Sequence, residues 1–334
     1  MSKENIPLNV QINTGKKTKI QSTPSVAVKV PLKLKIDGSW RFMVNELRIK
    51  HENEKRTEEN ETNTGYIIET DVSYEEFIKR VDKLLGDSKV RVFFINGNVL
   101  IYEFVQRLLE RTSNWISGEI KYHNQNVRDT CYVDGSLRIN LNIGTALIPN
   151  NISYEPDQSI TPNGRGPPLM VDNAPFPTLV VEVGYSQSPQ SLHTKALHYL
   201  NPLSNIQMVI CVKIWSRNPV NQNFRALMMF YRRGFASTNP EQIISFGTSP
   251  LHHETRNTLN GWNLAVNQVT GFGVTINGVP TPACNQAGMA QYTLQIPSAE
   301  LYNGVAGGVP NGVPANIPLD LFNLQTEIND IPTF

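Results

Sequence analysis

The chain is poor in cysteine, in net charge and in long apolar runs, and each shortage removes a class of protein. Its three cysteines, Cys131, Cys211 and Cys284, are scattered over 334 residues. None belongs to a C-x-x-C pair, which argues against a zinc ribbon. So sparse and odd a set also argues against a disulfide framework and for a reducing compartment. Cys211 lies in the apolar run Met208–Val212 and reads as a buried core thiol. The formal net charge is +1, so any attraction to nucleic acid must come from a local basic patch. No run approaches the ~18 apolar residues of a membrane span, and the first residues lack the apolar stretch of a secretory signal. The expected location is therefore intracellular, cytoplasmic or nuclear, with no membrane partner. Helix-turn-helix, zinc-finger and aromatic RNA-binding signatures are missing too.

What is present is a globular composition, 40% hydrophobic and 18% charged. Residues 1–35 hold seven lysines against one glutamate. They read as a solvated tail, with nuclear targeting or phosphate contact through Lys16-Lys17-Thr18-Lys19 as the other reading. Lys50 to Thr64 is almost wholly charged or Asn/Thr, a flexible linker by composition. Order is expected from Tyr66, with a strand at 66–70. A capping box of Ser73 and Glu76 then opens a helix to about Leu85, with Phe77, Val81 and Leu84 on one face. A strand at 90–95 ends on Asn96-Gly97-Asn98. The apolar spacing of Ile101, Val105, Leu108, Trp115 and Ile116 predicts a helix over 99–116. Strands follow at 120–123, 130–133 and 137–143, then a Pro/Gly-rich loop at 161–177. Next come a strand at 178–183, a helix from Pro189 to Leu200, and strands at 206–215 and 227–231. The order predicts an α/β fold with a mixed sheet. The C-terminal third is rich in Asn, Gly and Pro, with short strands near 271–276 and 291–295. The expected division is a basic and charged N-terminal region (1–62), a core (63–230) and a β-rich extension packed on the core (231–334).

One residue breaks the pattern. Glu182 sits inside Thr-Leu-Val-Val-Glu-Val-Gly at 178–184, an apolar β-branched run typical of a buried strand. A buried carboxylate is costly unless paired, protonated or bound to a metal. Strand alternation puts Leu179, Val181 and Val183 on one face and Val180, Glu182 and Gly184 on the other. Gly184 beside the glutamate is expected to leave open space. A glutamate on a half-exposed strand, paired with an arginine, explains the pattern equally well. Asp157, after Pro156, is a second acid in a turn or strand start. Lys195 lies on the following helix, between Leu192 and Tyr199, beside the apolar stripe rather than opposite it. Its stem can run over apolar surface and bring the amine to a cleft. Two carboxylates can hold Mg²⁺ (or Mn²⁺) together with water and a substrate phosphate, and a lysine can place or activate the attacking water.

The stretch Pro156-Asp157, then Leu179-Val180-Val181-Glu182-Val183-Gly184-Tyr185-Ser186, then Lys195 and Tyr199, resembles the Uma2-type restriction endonucleases, a branch of the PD-(D/E)XK nuclease superfamily. The resemblance covers roughly residues 66–230. It implies a restriction-endonuclease-like mixed sheet flanked by helices, a metal held by Asp157 and Glu182, and phosphodiester hydrolysis in DNA. A homodimer is left open. Lys195 would replace the lysine usually found two residues after the glutamate, where this chain has Gly184. A further acid often comes from the first core helix. Glu103 is preferred there over Glu110, although both lie off the apolar stripe. The alternative function is a catalytically inactive nuclease-fold module that binds nucleic acid or protein, and a structural protein built on the C-terminal region is a weaker third. His193, His198, His252 and His253 read as surface or packing histidines. Arg232-Arg233 reads as a solvated strand end or a groove lining for a nucleic-acid backbone.

Overall fold

The computed structural model describes residues 66–85, 90–104, 107–124, 130–135, 137–142, 151–169, 174–235, 238–265 and 268–332. The basic tail and the charged linker expected at the N-terminus lie outside these residues. Among them the chain forms a mixed α/β structure of two main sheets with helices against them.

The first sheet has the order β1 (Tyr66–Glu69), β3 (Asn98–Phe104), β2 (Val90–Ile95), β6 (Asn151–Tyr154), β5 (Ile139–Asn142), antiparallel throughout. Helix α1 (Tyr74–Leu85) covers it. Its Phe77 and Val81 join Ile68, Val92, Phe94, Val99 and Ile101 in one apolar cluster. The Ser73 hydroxyl caps α1 by accepting the Glu76 amide at 3.1 Å. The Glu76 carboxylate does not close the capping box, because it accepts from Arg80 at 2.8 Å one turn on.

The second sheet is the centre of the molecule. Its order is β12 (Val269–Gly271), β11 (Gln242–Gly247), β10 (Arg225–Arg232), β9 (Met208–Ile214), β8 (Leu179–Gly184), β7 (Gln158–Pro162), β4 (Cys131–Asp134). The pairs β8–β9 and β11–β12 are parallel and the rest antiparallel. Every residue of β8 and of β9 is buried, as a strand covered on both faces should be. On one face Leu179, Val181 and Val183 pack with α2 (Arg107–His123), the hairpin β15–β16 (Thr293–Pro297 and Asn316–Asp320) and α6 (Leu321–Asn329). On the other, Val180 packs with α3 (Pro189–Tyr199), with Leu259 of α4 (His253–Asn260), and with Ile139, Leu141, Ile152 and Tyr154 of the first sheet. A two-stranded ribbon, β13 (Thr275–Ile276) with β14 (Val279–Pro280), a 3-10 turn at Ala290–Tyr292 and a short helix α5 (Ser298–Leu301) complete the described elements.

Two of the predicted elements take another form, and β6, β11, α4 and α6 are elements that the sequence patterns do not predict. The helix predicted over 99–116 is strand β3 followed by α2, which begins at Arg107. Asn96 and Gly97, both at positive φ, turn the chain into a β2–β3 hairpin, so the apolar residues at 99–101 answer to strand pairing rather than to helical period. The strand predicted at 120–123 is the last turn of α2, where Ile120 packs into the core. The central sheet also runs on past residue 230, through β11 and β12. No helix among the described residues is long and apolar enough to cross a membrane.

Candidate active site

Strand β8 turns Glu182 to the α3 face of the central sheet and buries it, leaving 1% exposed. Helix α3 then supplies what a buried carboxylate needs. The Ser188 hydroxyl fixes its start by accepting the Ser191 amide at 3.1 Å, with Pro189 in the first turn. Lys195 and Tyr199 are four residues apart on one face of the helix, so both point at the same strand residue. The Lys195 ammonium donates to Glu182 Oε2 at 2.8 Å, and the Tyr199 hydroxyl donates to Oε1 at 2.6 Å. Each carboxylate oxygen therefore has its own short donor, the condition under which an ion pair this deep can be held. Lys195 is itself only 3% exposed, so it is not a surface lysine with a buried stem.

Asp157 arrives from the neighbouring strand. The antiparallel register Gln158↔Val181, Ser159↔Val180, continued by one residue, sets Asp157 opposite Glu182. Its carboxylate Oδ2 accepts the Val183 amide at 2.6 Å, so it closes the end of the β7–β8 ladder in place of a backbone acceptor. It is 7% exposed. Cys211 is the register partner of Glu182 on β9. Burial pushes its thiol well up, and Glu182 adds to this, with the charges of Lys195 and Asp157 also felt there. The three residues singled out by sequence are thus brought to one place.

The first sheet forms the opposite wall. Tyr154 of β6 lies with its ring 5.6 Å from the Lys195 ammonium and 5.4 Å from the Tyr199 ring. Its hydroxyl bonds His198 Nδ1 at 2.6 Å. Burial, helped by the Glu182 charge, pushes the Tyr154 hydroxyl up, which keeps it neutral. Burial likewise lowers His198, and His193 on the same helix, to about 4 each. His193 packs on Trp262 and bonds the Tyr231 hydroxyl. Both are packing histidines.

Glu103 and Glu110 are placed differently from expectation. Glu103 lies in β3 of the first sheet, opposite Arg91, rather than at the start of a core helix. Glu110 is exposed in the first turn of α2. The space expected beside Gly184 is filled as well. A Cβ there would meet Gln187 Cβ and Leu192 Cδ1 at 3.1 Å. A side chain at 184 would therefore have to push Gln187 or Leu192 aside by a few tenths of an ångström, whereas Lys195 reaches Glu182 from the helix. Gly184→Lys is accordingly expected to lower stability by about 1–3 kcal/mol through overpacking. Thermal denaturation of G184K and of G184K/K195M should show two losses, with no rescue of the second by the first.

Two further residues of this neighbourhood are not among those the sequence singles out. Lys213 is a fully buried lysine on β9, in register with Gly184 and on the Glu182 face. Its ammonium donates to the Tyr185 carbonyl at 2.7 Å and lies 5.2 Å from the Trp215 ring. The signal was available, because Lys213 interrupts Met208–Ile214 as Glu182 interrupts its own strand. Tyr154 carries no such signal, because only the meeting of the two sheets brings it near.

As ligands, two carboxylates on neighbouring strand positions suit a hard cation that keeps several waters. Each Glu182 oxygen, although hydrogen-bonded, retains a second lone pair. Among the described residues no group of three or more His, Cys, Asp and Glu is placed to hold a metal ion, so water and substrate would have to complete the shell. Compared with known proteins, the chain matches no family model and no curated protein.

Proposed function

We propose that the protein is a Mg²⁺- or Mn²⁺-dependent endonuclease with a restriction-endonuclease-like core, akin to the Uma2 type, that hydrolyses phosphodiester bonds in DNA. The observation that carries this reading is the buried grip of Lys195 and Tyr199 on Glu182 with Asp157 set opposite. Asp157 also anchors the Val183 amide at the end of the β7–β8 ladder, but phosphodiester hydrolysis asks for this same set, two acids and a cation together. Asp157 and Glu182 would hold the metal. When bound, it would polarise the phosphate and lower the pKa of a water. Lys195 orients Glu182 and places a positive charge where charge builds up on the reacting phosphate. Tyr154 and Tyr199 wall the site from solvent, which strengthens every charge interaction inside it.

The depth of the site favours a second reading, a nuclease-fold module that binds without cutting. Both oxygens of Glu182 already accept hydrogen bonds, and a substrate would have to open the wall to reach them. Cleavage of labelled single- and double-stranded DNA with Mg²⁺ or Mn²⁺ separates the two. Glu182→Gln is expected to lose activity about a hundredfold or more. Equal cutting by E182Q would sink the nuclease reading, and no cutting by either folded protein would favour the module.

A further inference from the structure

At the far end of the central sheet from Glu182, two arginines meet without an acid. Arg165 follows β7 in the loop to β8 and is 6% exposed. Its Nη2 donates to the Asn205 carbonyl, while Nε and Nη1 are enclosed with no hydrogen-bond partner. Arg233 follows β10. It donates to the carbonyls of Ile206 at 2.7 Å and Asn201 at 3.2 Å, and to the Ser204 hydroxyl at 2.8 Å. The loop between α3 and β9 therefore wraps both guanidinium groups with neutral oxygens only. Among the described residues no carboxylate forms an ion pair with either. Burial, and then the charge of Arg233, pull Arg165 down to about 10. Arg165 and Arg233 donate to the carbonyls of consecutive residues, Asn205 and Ile206, which holds the two cations in one neighbourhood.

An enclosed guanidinium with two unpartnered nitrogens, beside a second and half-buried cation, is costly. A trapped water could satisfy the free donors but would leave the repulsion in place. An anion answers both, and a tetrahedral oxyanion offers enough acceptors for two forked donors. The exposed turn Asn303–Gly304 of the C-terminal extension lies over Arg165. A Cβ at Gly304 would stand 3.6 Å from Arg165 Nε. The loop and the extension are joined there by the Arg165↔Val305 bridge.

We propose that Arg165 and Arg233 form a binding site for a phosphate-type oxyanion, entered beneath the 303–304 turn, which joins the C-terminal extension to the core. This site stands apart from the Glu182 centre and does not depend on the nuclease reading.

The test is calorimetric titration and thermal denaturation of the full chain with inorganic phosphate, against sodium chloride at equal ionic strength. Saturable phosphate binding with a rise in melting temperature that chloride does not give is expected. Arg233→Gln, at the half-exposed member, should weaken binding about tenfold or more while the unliganded protein still melts cooperatively. Arg165→Lys keeps the charge but loses the fork, and should weaken it similarly. Equal shifts with phosphate and chloride, or undiminished binding by R233Q, would overturn the site. A short DNA duplex added in competition identifies the source. Displacement of phosphate points to a nucleic-acid backbone, and no displacement points to free phosphate; the site stands in either case.

Discussion

Lys195→Met protein should melt roughly 6–20 °C below wild type at neutral pH, which corresponds to a loss of about 3–5 kcal/mol. The reason is the depth of the pair. Glu182 is 1% exposed and its Oε2 takes the Lys195 ammonium at 2.8 Å. Removing the lysine leaves a carboxylate in a protein interior with the Tyr199 hydroxyl in place on one oxygen and a lost cation at the other. Water cannot repair this without opening the contact between α3 and β8. Removing both partners is a different matter, because apolar groups of similar volume can fill a buried ion pair at little cost. The double variant Glu182→Met/Lys195→Met should therefore recover most of the stability while staying inactive. Scanning calorimetry of the three proteins decides it. A K195M protein within about a degree of wild type would mean that Glu182 is solvated, and the site as described would be wrong.

Acid should weaken the fold over a defined window. His193 and His198 are ordinary imidazoles in the unfolded chain, near 6.5, and are lowered to about 4 when folded. Between those values the unfolded chain binds more protons, so stability falls as pH drops from about 6.5 toward 4 and is unaffected by these groups above that range. At about 1.4 kcal/mol per unit, each contributes roughly 2–3 kcal/mol across the window. The physical cause is burial. His193 is held between the Trp262 ring, 4.6 Å away, and the Tyr231 hydroxyl, and His198 against Tyr154. Urea denaturation at several pH values from 7 to 4.5 should show the decline, and His193→Phe should remove about half of it. A flat profile would mean that both rings stay solvated in the folded protein.

The signals that were legible in the chain are those written within a single element. Glu182 announced itself as a charge inside an apolar strand, and the faces of β8 follow from alternation alone: Val181 and Val183 pack with α2, and Val180 with α3. Lys195 and Tyr199 could be paired by their four-residue spacing once α3 was recognised, and its Pro189 start and Ser188 cap were local signals too. The miss at 99–116 has a local cause. Apolar residues at 99–101 fit either period, and the hairpin at Asn96-Gly97 decided between them. The expected place of Glu103 near a helix start went with it, because Glu103 lies in β3.

Sequence by itself thus determined the α/β class, the buried acid and the helix that answers it, because strand and helix periods fix which side chains share a face. Tertiary structure alone decided the rest. It brought Tyr154 across from a second sheet, filled the space beside Gly184 with Leu192, and set Lys213 in register with that glycine. It also drew Arg165 and Arg233, 68 residues apart in number, onto consecutive carbonyls of one loop. Those juxtapositions depend on which strands pair and how closely α3 lies on the sheet. Such contacts between residues distant in sequence are set by the packing of the whole core and leave no period in the chain.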